Sequence, residues 1–235
     1  MYLSDPFGNG LAGTNTNIMA FSGARMNNAI KYATPNFAGF NGDVAYSFGE
    51  TAGNTSANSA YGGSLGYSKG PLAIRLGYHN KNTNNLATGV IPTRNTDAKN
   101  TILAATYDFA VVKAYFGYGV NKGLDSSPYL VANPYGAAVA PTSSTDSRDM
   151  LVGVSVPYGA HTFLATYIRK DDRDAANRDT DLIGVGYLYA LSKRTNLYAA
   201  YARINNKNGA AYTVGSAIEG GSGNKGLNLG IRHVF

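Results

Sequence analysis

Residues 225–235 read KGLNLGIRHVF. Counted two at a time from the end, Phe235, His233, Ile231, Leu229 and Leu227 fall on one side of the chain. Val234, Arg232, Gly230 and Asn228 fall on the other. The first set is apolar except for His233 and ends in a bare aromatic ring. The second is mostly small or polar. A period of two describes a β-strand with two unlike faces. A greasy stripe is unusual at a terminus, where chains are commonly polar and frayed, so the question is what that stripe faces.

The same pattern recurs upstream. With 225–235 it makes eleven alternating runs: 24–34, 39–49, 59–69, 71–80, 99–109, 111–120, 149–157, 161–170, 180–191, 195–205 and 225–235. No stretch carries the spacing of an amphipathic helix. The connections alternate in length. TPNFAG, SKGP, FAV, PYGA and LSKRT are short. The segments between them are long and rich in Asn, Ser, Thr, Asp and Gly, the composition of exposed loops. Short–long alternation sets all tight turns on one edge of the sheet and all long loops on the other. The result is an antiparallel up-and-down meander with two different ends.

Charged residues make up 14% of the chain, against roughly 25% in ordinary soluble domains. There are 29 Gly and 18 Tyr, with no Trp and no Cys, which excludes disulfides and thiolate metal sites. The net charge is +6, but the Lys and Arg residues are scattered singly rather than clustered as nucleic-acid binders cluster them. No segment approaches the roughly 20 apolar residues of a membrane-spanning helix. MYLSDPFGNG has neither the basic nor the apolar region of a signal peptide, so an exported protein would be represented here by its mature form or part of it.

The faces decide between a soluble barrel and one standing in lipid. On 71–80, Leu72, Ile74, Leu76 and Tyr78 oppose Ala73, Arg75, Gly77 and His79. On 39–49, Phe40, Val44, Tyr46 and Phe48 oppose Asn41, Asp43, Ala45 and Ser47. On 111–120, Val112, Ala114, Phe116 and Tyr118 oppose Lys113, Tyr115 and Gly117. Along the apolar register, Tyr46, Phe48, Tyr61, Tyr78 and Tyr118 lie near the long loops. Tyr67, Tyr107, Phe109, Tyr187, Tyr189 and Phe235 lie near the short turns. Aliphatic Val44, Leu65, Ile74, Leu103, Val185 and Leu229 fill the band between. Two aromatic belts around an aliphatic band are what a bilayer selects. The predicted fold is therefore an all-β transmembrane barrel, apolar outside and wet inside. Tyr46, Tyr78, Tyr118, Tyr187 and Phe235 are its expected membrane-interface aromatics.

Five stretches, RMNNAIKYATPNFAGFNGDVAYSFGE, GYSKGPLAIRLGYHN, ATYDFAVVKAYFGYG, YARINNKNGAAYTVG and GLNLGIRHVF, resemble the general diffusion porins of the Gram-negative outer membrane in their β-proteobacterial form. The resemblance implies a homotrimer of barrels with sixteen strands, each with a third loop folded inward to narrow the pore. Within the single domain 1–235, residues 1–23 resemble the later part of that loop, and 24–34 and 225–235 match strands six and sixteen. On this reading about eleven strands are represented and the first five are not. The expected edges are 24–34 and 225–235, since bacterial single-chain barrels have even counts. The resemblance further implies outer-membrane localisation, lipid and lipopolysaccharide as surroundings, and small ions and solutes as cargo.

No catalytic set emerges. His79, His161 and His233 lie on three strands without metal-ligand spacing. There is no G-x-S-x-G elbow, and GNGLAG and EGGSGNKG do not join a strand to a helix as phosphate cradles do. KDDRDAANRDTD lacks the EF-hand spacing and reads mainly as a solvated loop, with divalent bridging to lipopolysaccharide as a lesser option. No cofactor, resident metal, enzymatic activity or nucleic-acid partner is expected. By alternation, Arg25, Asn27, Lys31, Arg75, Lys113 and Arg232 point into the lumen with the carboxylates of Asp43 and Asp108. A basic lumen concentrates anions. In the inward loop, Asp5 with Pro6, Phe7 and Gly8 supplies the candidate constriction residues. The expected function is passive diffusion with anion preference. The rival is a structural or adhesive barrel acting through its long loops, which conductance separates from a channel.

Overall fold

The structure, a computed structural model, describes residues 2–8, 11–12, 18–19, 26–49, 59–82, 97–123, 144–210, 212, 214 and 224–235. Eleven strands follow a short 3-10 turn at Tyr2–Ser4. They are β1 Ala29–Ala33, β2 Phe40–Ser47, β3 Ala60–Lys69, β4 Leu72–Asn82, β5 Asp97–Asp108, β6 Lys113–Lys122, β7 Asp146–Tyr158, β8 His161–Asp172, β9 Thr180–Ser192, β10 Thr195–Asn206 and β11 Lys225–His233. Their order in the sheet is their order in the chain, and each pairs antiparallel with the next. The first strand is shorter than the predicted 24–34. Asn28 has a φ of 49°, a left-handed conformation that ends an extended run.

Three hairpins, β3–β4, β7–β8 and β9–β10, turn on two residues each, and the first two do so through glycine. In the β3–β4 turn Gly70 has a φ of 60° and is followed by Pro71, and in the β7–β8 turn Gly159 has a φ of 59°. Glycine with positive φ at the first turn position is the signature of the tight turns that match strand twist. These turns fix the register and so decide which side chains share a face.

One face is bare and apolar. Val44, Leu65, Leu227 and Leu229 are 60–69% exposed, and the surface they help to form spans the whole sheet. A soluble monomer does not leave so large a patch uncovered; hydrocarbon is its natural solvent. Tyr46, Tyr61 and Tyr78 border this face at the long-loop end, and Tyr107, Phe109 and Tyr158 border it at the other. Leu76, half exposed in the apolar band of β4, provides a check. Leu76→Arg should lower unfolding stability in a bilayer by about 2–4 kcal/mol, read by denaturant titration in lipid vesicles, and by far less in a water-exposed setting.

The opposite face holds the core. Leu151, Leu164, Ile168, Leu182, Ala200, Ala202 and Ile204 project from β7–β10 and pack with Phe7, Ala12, Ile18 and Met19 of the N-terminal segment and with Tyr212 and Val214. That segment therefore lies against the inner wall. Strands β1 and β11 are the two edges, with no pairing between them. Unpaired backbone groups cost several kcal/mol each in hydrocarbon, so in lipid both edges need hydrogen-bonding partners.

Candidate functional site

Cross-strand register builds a polar cluster on the inner face of β1–β4. Asp43 stands opposite Ala33 on one side and Ser64 on the other. Lys31 Nζ lies 3.5 Å from Asp43 Oδ2, and Arg75 Nη1 lies 3.3 Å from Asp43 Oδ1. Arg75 also donates to Ser64 Oγ at 2.8 Å and to Asn41 Oδ1, while Ser64 donates to Asp43. Gly66 sits between Asn41 and Arg75 in register, and a Cβ there would come within 3.0 Å of the guanidinium. The bare backbone gives Arg75 its seat. Side-chain exposures of 62% for Lys31 and 43% for Arg75 keep both cations wet, where ion pairs add about 0–1 kcal/mol. Little of the fold's stability therefore rests on these pairs. Two cations share one carboxylate, leaving a net positive patch. It borders a cavity of about 430 Å³, walled also by His79 and by Leu3 of the N-terminal segment.

That segment is seated by glycines. On the inner face a Cβ at Gly117 would fall 2.9 Å from Ser4 Oγ, one at Gly153 2.8 Å from Pro6 Cγ, and one at Gly186 2.7 Å from Phe7 Cε1. A fourth, at Gly226, would fall 2.7 Å from Val214 Cγ1. Ser4, Asp5 and Phe7 are all at most 5% exposed. Asp5 Oδ1 accepts the Phe7 N–H at 2.9 Å, so this carboxylate holds the turn of its own segment. Pro6 and Phe7 press into the wall, and Gly8 takes a φ of 61° beyond them.

A second polar network lies on the inner face toward the long loops. Lys170 and Asp149 are 0% and 1% exposed and 2.5 Å apart. Asn121 donates to Asp149 Oδ2 at 2.8 Å and to Ser147 Oγ at 3.0 Å, and Asn100 donates to Asn121 at 2.6 Å. The acidic tract beyond β8 is folded on itself. Asp172 accepts from Ser144 Oγ at 2.6 Å and from the Arg178 N–H at 2.9 Å, and Asp179 accepts from the Asp172 N–H at 3.1 Å. Its carboxylates cap backbone donors. Among the described residues no group of three or more metal-ligating side chains converges.

Of the predicted inward residues, Lys31, Asp43 and Arg75 come together. Asp108 and Lys113 stand opposite one another at the short-turn end; Asp108 Oδ1 accepts the Ala110 N–H at 2.8 Å, and Lys113 lies over the Tyr115 ring, 5.5 Å from its centroid. Arg232 is on the inner register of edge strand β11, opposite Asn196 and away from the cluster. Asn27 precedes β1, its carbonyl accepting from Ser47 Oγ at 2.5 Å. Arg25 lies outside the described residues. Tyr118 and Tyr187 share the outer register with Tyr46, Tyr78 and Phe235. Sequence reasoning put Asn41 on the face of Asp43 without giving it a role, and missed Ser64, Asn121, Asp149 and Lys170; a register drawn from the turn lengths would have set Ser64 beside Asp43.

An eleven-stranded meander, greasy outside and polar or strap-covered inside, can be set beside known proteins. The Gram-negative porin family profile matches residues 2–209. Outer membrane porin protein 32 of Delftia acidovorans is 32% identical over 225 residues, covering 91% of this chain and 58% of that protein. An outer membrane porin protein of Bordetella pertussis is 28% identical over 257 residues, covering 98% and 64%. The chain thus spans about three-fifths of these relatives' length. Among solved structures, an anion-selective porin from Comamonas acidovorans superposes with a TM-score of 0.67 at 28% identity, covering 97% of this chain and 67% of that one. With the family profile matching most of the chain and the fold superposing on a porin, the chain belongs to the Gram-negative porin family.

Proposed function

We propose that the chain serves as the wall and inward strap of a passive outer-membrane diffusion channel with anion preference. The observation that carries this is the Lys31–Asp43–Arg75 cluster at the edge of the 430 Å³ cavity. Hydrated solutes pass down their gradient, and exposed cations raise the local anion concentration. No bond is made or broken. Residues 1–23 are read as the constricting loop. The assembled protein is read as a homotrimer in outer-membrane lipid and lipopolysaccharide, passing small ions and solutes. Support comes from the family membership and from the anion selectivity of the Comamonas porin.

Asp43 tunes the site. A unit charge at 4 Å in water is worth about 1 kcal/mol, about fivefold in occupancy. Asp43→Asn should therefore raise the anion-to-cation permeability ratio by up to about fivefold, and Arg75→Glu should lower it by more. Reversal potentials under a salt gradient in planar bilayers measure both. Unchanged potentials for the pair of variants would remove this cluster from the solute path.

A further inference from the structure

Outer-face charges gather at the long-loop end, and two pairs set like charges directly opposite each other: Lys99 faces Lys122 and Arg203 faces Lys225. Like charges across a ladder repel. The first pair is neutralised within the protein, Lys99 by Asp97 at 3.7 Å and Lys122 by Asp146 at 2.5 Å. The second is not. Among the described residues no carboxylate reaches Arg203 or Lys225. Nearby Asp181 is occupied by Arg169 at 4.0 Å, by Lys207 at 3.4 Å and by the Tyr167 hydroxyl at 2.7 Å. Arg203 and Lys225 are both exposed. One step deeper on the same face stand Tyr201 and Leu227, opposite each other and exposed to the apolar surroundings.

We infer that Arg203 and Lys225 form a binding site for the phosphate of a lipid headgroup in the leaflet at the long-loop end. A fork of Arg donors with an adjacent ammonium suits a phosphate. The apolar Tyr201–Leu227 step directly beneath suits an acyl chain attached to it, which a soluble anion lacks. The anion relieves the cross-strand repulsion that no described carboxylate compensates here, unlike that at Lys99–Lys122. This rests on the outer-membrane reading and adds its lipid contact.

The test uses the full chain folded in neutral detergent, titrated with mixed micelles containing phosphorylated lipid A or its dephosphorylated form. Binding is read by calorimetry and by the rise in melting temperature. Arg203→Gln/Lys225→Gln should bind the phosphorylated lipid about tenfold more weakly, in line with loss of charge-assisted contacts. In detergent alone the double variant should melt no lower than the parent, because a repulsion has been removed. Lys69→Gln, at the short-turn end, should bind like the parent. Equal binding by parent and double variant, equal binding of the dephosphorylated lipid, or full displacement by millimolar inorganic phosphate would each overturn the inference. If the double variant does not fold, Lys225→Gln alone carries the same comparison. Ion selectivity of these variants should match the parent; a conducting channel with no lipid preference sinks this site and leaves the channel reading standing.

Discussion

Gly153→Val or Gly186→Val should widen the pore, although each adds atoms to its inner wall. At most inward positions a larger side chain narrows the bore. Gly77 is such a position, since a Cβ there meets nothing nearer than 4.0 Å, and Gly77→Val should lower conductance modestly. At Gly153 and Gly186 the added Cβ falls within 2.8 Å of Pro6 and 2.7 Å of Phe7. Overpacking of that kind costs about 1–3 kcal/mol. Burying Phe7 stabilises the docked segment by about 1.5–3 kcal/mol. The two are of the same size, so the substitution takes the strap from firmly docked to substantially released. Single-channel conductance should rise and proteolysis near residue 7 should quicken. The same Gly→Val change would then act with opposite signs at Gly77 and at Gly153. A conductance decrease at all three positions, with the β signal intact, would show that the segment does not constrict the path.

The strands were legible because each carries its own alternation, and their order was legible because short and long connections alternate. Boundaries were less so at the long-loop ends. Strand β7 begins at Asp146 rather than 149 because Asp146, Ser147 and Arg148 pair with β6 without showing apolar periodicity. The inner face of β7–β10 was harder. A wet lumen leads one to expect small or polar inward residues, yet Leu151, Leu164, Ile168, Leu182 and Ile204 all point inward and are buried. Their burial draws on Phe7, Ala12, Ile18 and Met19, more than a hundred residues away in sequence, as well as on Tyr212 and Val214. Local pattern cannot report such a contact, though inward glycines beside large apolar residues at 117, 153 and 186 are its trace. Asp5 shows the same limit. Its type suggested a carboxylate facing solutes, but its oxygen is turned to the Phe7 amide. Lys31, Asp43 and Arg75 were found because alternation alone sets their side, and register needed only the hairpin turns to bring them together.

Lys170→Met should destabilise the fold by about 3–5 kcal/mol, more than any change at the exposed cluster. Lys170 and Asp149 are both out of water, so removing the ammonium leaves a buried carboxylate held, among the described side chains, by the Asn121 amide at 2.8 Å. Asp149→Leu should cost a similar amount by stranding the ammonium against Ser147 Oγ, 3.2 Å away. The double variant Asp149→Leu/Lys170→Met should recover much of that loss, since an apolar pair of like volume often matches a buried ion pair. Denaturant unfolding of the four proteins closes the cycle and gives the coupling directly. Single costs below about 1 kcal/mol would mean that water reaches the pair and that the inner wall of β7–β8 is not dry. Selectivity separates the two lysines further. Lys31 is 62% exposed; on the proposed channel reading it faces ions in transit, so Lys31→Met should move the reversal potential with little change in stability. Lys170 is buried on the inner face and compensated by Asp149, so Lys170→Met should leave the reversal potential in place while the fold weakens. One face of one sheet thus holds two lysines whose loss is read by different instruments, and burial rather than residue type decides which.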